Sequence, residues 1–148
     1  MSVIVLDTGP LGLVTNPKQS GENLACYQWM EDLIAAERRV IVPEIADYEI
    51  RRELLRAGKI NGLRRLELIV STLEYLPITT AAMRLAADIW SQTRKAGQPT
   101  ASNEALDGDV ILAAQALTLN ESDVIVVTTN VGHLSRFVPA KTWREVDI

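Results

Sequence analysis

Cysteine, histidine, aromatic side chains and long apolar runs are all scarce in this chain, and each shortage removes a class of protein. The single cysteine, Cys26, cannot form an internal disulfide, which fits a reducing compartment, and a buried free thiol is expected there rather than a nucleophile. Aromatic residues make up only 5% of the sequence, so extended stacking on nucleic-acid bases is not expected; Tyr48 and Phe137 are the candidates for it. No apolar stretch approaches the roughly 20 residues of a membrane span, and the residues ahead of Asp7 carry no basic leader, so a cytoplasmic protein without a membrane partner is expected. Positive charge is also short. With 15 Lys and Arg against 19 Asp and Glu, the net charge of −4 excludes a protein that coats nucleic acid over its whole surface, while a local basic face stays compatible with it.

What is present is a core. The 148 residues are 47% hydrophobic and 23% charged, the size of one domain, and no linker, repeat or low-complexity tract divides residues 1–148. Val3-Ile4-Val5-Leu6 reads as a strand buried on both faces, ending at Asp7 and a turn-forming Gly9-Pro10. Apolar residues from Leu11 to Ile34 are interrupted at Asn16-Pro17 and restart as a helix near Ser20. A second strand, 39–43, is followed by helices over 44–57 and from about 60 to 73, separated by Gly58. Residues 75–78 read as extended, Thr79 or Thr80 caps a long helix ending near Gly97, and 98–106 reads as a polar loop. An apolar helix over 110–117, a buried strand over 124–127 and an edge strand around 142–146 complete the chain. Strands alternating with helices imply an α/β fold, with a central parallel sheet covered on both faces.

In such a sheet the carboxyl ends of neighbouring strands share an edge, which would bring Asp7 and Asn130 together. Acidic side chains gathered at that edge can hold a hard divalent cation, because Mg²⁺ and Mn²⁺ prefer carboxylate and water oxygens. Glu44, Asp47, Glu49, Glu53, Asp107 and Asp109 are available to join them. Each has a plainer alternative. Asp7 and Asp107 suit helix N-caps, Asp109 suits a first helical turn, and Glu49 and Glu53 suit a solvated, salt-bridged helix face. His133, the only histidine, falls in a Gly-His-Leu-Ser stretch where a surface-loop role is expected, substrate contact being the alternative.

Four pieces in order resemble the motifs of PIN-domain nucleases: Val-Leu-Asp-Thr at 5–8, Pro43 followed six residues later by Glu49, Asp-Val-Ile-Leu-Ala-Ala at 109–114, and Val-Thr-Thr-Asn at 127–130 followed by Phe137. The VapC-type toxins of bacterial toxin–antitoxin pairs belong to that family. The resemblance spans essentially the whole chain. It implies a single three-layer α/β/α domain and a metal-dependent ribonuclease, with Mg²⁺ or Mn²⁺ held by Asp7, Glu49 and Asp109. Asn130 matches a fourth position that is often aspartate, and its missing charge implies weaker metal affinity. Thr8, Asp107 and Thr128 would support the cluster, and Arg51, Arg52 and Arg136 would contact RNA phosphates. An RNA substrate, a small antitoxin protein and a homodimer are the implied partners. The alternative is a PIN-like domain with weak or no catalysis, serving as a nucleic-acid-binding or assembly module. An aspartyl phosphotransferase is disfavoured, because position 9 holds glycine where haloacid-dehalogenase-like enzymes carry a second aspartate.

Overall fold

The computed structural model describes residues 1–97 and 107–148. The expected loop over 98–106 lies outside the described residues. In chain order the elements are β1 (Val3–Leu6), α1 (Thr8–Thr15), α2 (Gly21–Ala35), β2 (Val40–Pro43), α3 (Glu44–Arg56), α4 (Ile60–Thr72), β3 (Glu74–Leu76), α5 (Thr80–Lys95), α6 (Gly108–Leu117), β4 (Val124–Val127), α7 (Val131–Leu134) and β5 (Ala140–Lys141).

The strands form one sheet of order β3-β2-β1-β4-β5, with every pairing parallel. β1 and β2 are buried throughout, as strands covered on both faces must be. Alternate side chains of the sheet feed two cores. Val3, Val5, Ile41 and Val126 pack with α5 and α6 on one face, while Ile4, Leu6, Val40, Val42 and Val127 pack with α1, α2 and α4 on the other. The result is the expected α/β/α arrangement. Successive residues of α3, Ile45 and Ala46, enter opposite cores, so this helix straddles the sheet edge and carries its side chains over the strand ends.

The topology also creates a crevice. From β1 the chain moves outward to β2 and β3, then returns to β4 on the other side of β1, so the strand order reverses between β1 and β4. In open parallel sheets this reversal point is where helices diverge and ligands are received at the carboxyl ends of the strands. Leu6 pairs with Val127, which sets Asp7 beside Thr128 at that crevice.

Two local expectations are corrected. Gly9-Pro10 does not make a turn; both residues lie in the first turn of α1, where the missing proline N–H has no intrahelical partner to lose. The edge strand expected over 142–146 is instead Ala140–Lys141, followed by a 3₁₀ turn over Trp143–Glu145. The Glu145 carboxylate accepts from both the Thr142 backbone N–H (3.0 Å) and the Thr142 hydroxyl (2.8 Å), which winds the chain out of the sheet. The Thr-x-x-Glu spacing carried that signal. Trp143 then packs 6.0 Å from Trp29, whose indole N–H donates to the Val146 carbonyl at 3.1 Å, closing the C-terminal segment onto the α2 core.

Elsewhere the breaks fall as expected. Gly58, at φ +65°, ends α3 by letting the Lys59 N–H reach back to the Leu54 carbonyl at 2.9 Å. Thr79 caps α5 by accepting from the Ala82 N–H at 3.0 Å. Cys26 is buried, and burial pushes its thiol up to about 12, so it stays protonated and unreactive.

Candidate functional site

Asp7 holds the centre of the crevice with both carboxylate oxygens engaged. Oδ1 accepts from the Thr8 N–H at 2.6 Å, capping α1, and Oδ2 accepts from the Thr128 hydroxyl at 2.7 Å. The helix-cap alternative is realised, and the same side chain is also tied to the end of β4. Thr128 is fully buried at the end of β4 and works in two directions, since its Oγ1 also accepts from the Asn130 N–H at 2.9 Å.

Glu49 comes from α3. Its Oε1 accepts from the Thr8 hydroxyl at 3.0 Å, so the two threonines that flank Asp7 in space tie it to β4 on one side and to α3 on the other. Asp109 lies in the first turn of α6. Burial, then the neighbouring Asp7 charge, raises the Asp109 carboxyl above its ordinary range, while a hydrogen bond from His133 pulls it back down. Burial likewise raises Glu49; the Thr8 hydrogen bond opposes this, the Asp7 charge adds to it, Arg52 opposes it and the Asp109 charge adds to it. Glu49 therefore feels both Asp7 and Asp109, and Asp109 feels Asp7. Three anions from three separate elements share one partly desolvated crevice.

The donor set suits a hard cation. All three side chains present oxygen, and a divalent ion between them would offset both the burial and the like charge that raise Glu49 and Asp109. Among the described residues, no three His, Cys, Asp or Glu side chains already converge closely enough to ligate one ion. The cluster is a shared anionic field, with Asp7 held by two hydrogen bonds and the other two facing it from α3 and α6.

The remaining expected residues divide. Asn130 is exposed at the start of α7 and makes no side-chain capping bond, leaving its amide facing solvent beside Thr128. Asp107 is buried, caps α6 through the Val110 N–H at 3.4 Å and lies 3.9 Å from Arg94, so it serves the helix start. Glu53 pairs with Arg56 on the solvent side of α3. Arg51 is held by Asp47 and Glu67, and Arg65 donates to the Val14 carbonyl at 2.8 Å, so much of the basic stretch is committed within the fold. Arg52 stands differently. Its guanidinium lies 3.9 Å from the Glu49 carboxylate and 5.2 Å from the centre of the Tyr48 ring. Arg136 donates to the His133 carbonyl at 3.2 Å and covers the Phe137 ring.

His133 is exposed, as expected, and the single turn of α7 also returns its Nδ1 to 3.4 Å from Asp109 Oδ2. The ring is half exposed, so it both touches the cluster and faces solvent. Its distance of three residues from Asn130 was the one signal available, because a helix begun at Asn130 brings position 133 back over its own start. A groove of about 980 Å³ lies elsewhere, between α1, α3 and α4; Gly12, Ile50, Leu54 and Ile60 line it with Lys18, Arg56 and Lys59, and none of the three clustered carboxylates does.

Fold and site together define a three-layer α/β/α protein with an acidic cluster at the reversal point of a parallel sheet. The family model that matches is the PIN domain, over residues 4–136, and the chain belongs to the PIN-domain family. That range contains Asp7, Glu49, Asp109 and Asn130. Among solved structures, similar folds occur in VapBC2 from Rickettsia felis bound to a DNA fragment from their promoter (TM-score 0.74, 18% identity, covering 95% of this chain and 98% of that one). They occur also in VapBC-1 from nontypeable Haemophilus influenzae (TM-score 0.69, 17% identity, covering 97% and 99%) and in DNA-bound VapBC from Salmonella typhimurium (TM-score 0.67, 21% identity, covering 97% and 99%). No match is found among curated protein sequences. Among the described residues, no helix is long and apolar enough to cross a membrane.

Proposed function

We propose that this chain is a metal-dependent endoribonuclease acting as the toxin of a toxin–antitoxin pair. The observation that carries the reading is the grouping of Asp7, Glu49 and Asp109, in which burial and mutual charge raise two of the three carboxyls. Structural likeness to VapBC complexes supports the toxin role and an antitoxin partner.

Asp7, Glu49 and Asp109 would hold Mg²⁺ or Mn²⁺. When bound, such an ion supplies Lewis acidity toward a phosphate oxygen and lowers the pKa of a coordinated water. The protein's own groups do the rest. Thr8 and Thr128 fix the Asp7 and Glu49 oxygens, so little reorganisation is needed when substrate arrives. Arg52, beside Glu49 on α3, and Arg136, beyond α7, would meet RNA phosphates in this reading. His133 orients Asp109, and the exposed Asn130 amide offers a neutral donor and acceptor to substrate. The protein works in the cytoplasm as a homodimer in this reading.

Purified protein incubated with single-stranded RNA and Mn²⁺ or Mg²⁺ tests it. Cleavage by the wild type, lost in Asp7→Asn and in Asp109→Asn, is expected; cleavage that survives both substitutions would sink the cluster mechanism. The neutral, solvent-facing Asn130 favours a second reading, a domain that binds RNA without cutting it. That reading predicts RNA binding with no cleavage under any metal.

A further inference from the structure

We propose that Gly108 is a positioning residue, whose missing side chain is the space that admits the Glu49 carboxylate to the start of α6 beside Asp109. A Cβ built at Gly108 would meet Glu49 Oε2 at 2.8 Å, with Glu49 Cδ and Oε1 both at 3.1 Å. Real carbon–oxygen contacts do not survive at the first of these distances, so either α6 or the carboxylate must move. The α6 end is the stiffer side. It is capped by the buried Asp107 and followed by Val110 to Ala114, all buried, whereas the Glu49 carboxylate is the free end of a flexible side chain.

The glycine does not answer a need of the backbone. Among the glycines of the described residues, Gly21, Gly58 and Gly97 have positive φ; Gly108 does not, and alanine would suit a helix there at least as well. Nor is the surrounding space apolar and awaiting a methyl group. The three nearest atoms all belong to one carboxylate, which also holds a hydrogen bond from Thr8 and senses the charges of Asp7 and Asp109. Gly108 thus keeps Glu49 within the anionic cluster at the expense of helix propensity.

The consequence for ion binding rests on the metal reading above, and the test separates the two. In a crystal structure of metal-free Gly108→Ala, the Glu49 carboxylate is expected to leave its place and lose the Thr8 Oγ1 bond; a carboxylate unmoved and still bonded to Thr8 overturns the proposal. Mn²⁺ binding, followed by the electron paramagnetic resonance of free ion, is then compared in wild type, Gly108→Ala, Glu49→Ala and the double variant. About tenfold weaker binding is expected from Gly108→Ala in the wild-type background, with no further loss in the Glu49→Ala background. Equal losses in both backgrounds would show that Gly108 acts other than through Glu49, and overturn it. Should Gly108→Ala fail to fold, restored folding in the double variant supports the clash with Glu49, and persistent unfolding refutes it. A wild type that binds no Mn²⁺, while Glu49 still moves in the variant, defeats the metal reading and leaves the positioning role standing.

Discussion

At the scale of single residues, the site holds carboxylates that would be more comfortable neutral. Glu49 and Asp109 bind protons more readily folded than unfolded, because burial and like charge disfavour their ionised forms. The sign follows directly: folding is favoured when they are protonated, and that contribution is lost as pH rises from the ordinary carboxylate range through their raised folded values. Glu49→Gln or Asp109→Asn is therefore expected to raise the melting midpoint of the metal-free protein at neutral pH, and to remove the cleavage proposed above. Calorimetry at pH 4 and pH 7 checks it; a gain that is equal at both values would contradict the charge argument. Thr128 behaves in the opposite manner. Its buried hydroxyl serves Asp7 and the Asn130 N–H together, so Thr128→Val is expected to cost about 1–3 kcal/mol in urea unfolding and to lower cleavage with it.

Between elements, one buried side chain sets where α3 lies relative to α6. Gln115, fully buried on α6, accepts from the Ile45 N–H at 3.2 Å and donates to the Leu76 carbonyl at 2.9 Å. Ile45 is in the first turn of α3, where backbone N–H groups have no partner within the helix. The amide therefore joins the helix that bears Asp109, the helix that bears Glu49 and the end of β3. Gln115→Leu would leave both backbone groups unpaired in the core, at a cost of about 1–3 kcal/mol. It is also expected to weaken Mn²⁺ binding with Asp7, Glu49 and Asp109 all intact. Denaturant unfolding and metal titration of the same variant check the two parts; unchanged metal affinity in a destabilised protein would confine Gln115 to stability. Reading the sequence, this glutamine sits inside an apolar helix and its two partners are 70 and 39 residues away, so nothing local marks it.

On the scale of the whole molecule, a ligand that binds only the folded protein must raise its stability. Mn²⁺ at a hundred times its dissociation constant is expected to add about 2.7 kcal/mol, and the melting midpoint should rise accordingly and fall back on chelation. No shift in wild type would remove the ion altogether, and a wild-type shift retained in Asp7→Asn would place it elsewhere. Charge acts globally too. With a net charge of −4, the attraction for RNA that the proposed function requires would be local, and Arg52 beside Glu49 and Arg136 beyond α7 are the arginines to test first. Each of Arg52→Ala and Arg136→Ala is expected to weaken RNA binding uniformly across sequences and to lower the slope of log affinity against log salt by about one; an unchanged slope would remove that arginine from the interface.

The sequence by itself determined the layers and the order of the elements. Short β-branched runs bounded by turn residues read as buried strands, and the helical periods between them require crossovers, so the parallel sheet follows from local pattern, although Val124 and Ile125 of β4 are only partly buried. Asp7 and Asn130 were legible as candidates because each follows a buried strand, and the resemblance to PIN-domain motifs singled out Glu49 and Asp109. Only the tertiary structure decided what each of them meets. Thr128 reaching Asp7, His133 returning to Asp109, Arg51 turning to Glu67 and Glu49 lying against Gly108 are contacts between elements far apart in the chain. Their geometry is set by how strands pair and helices pack, which no local spacing encodes.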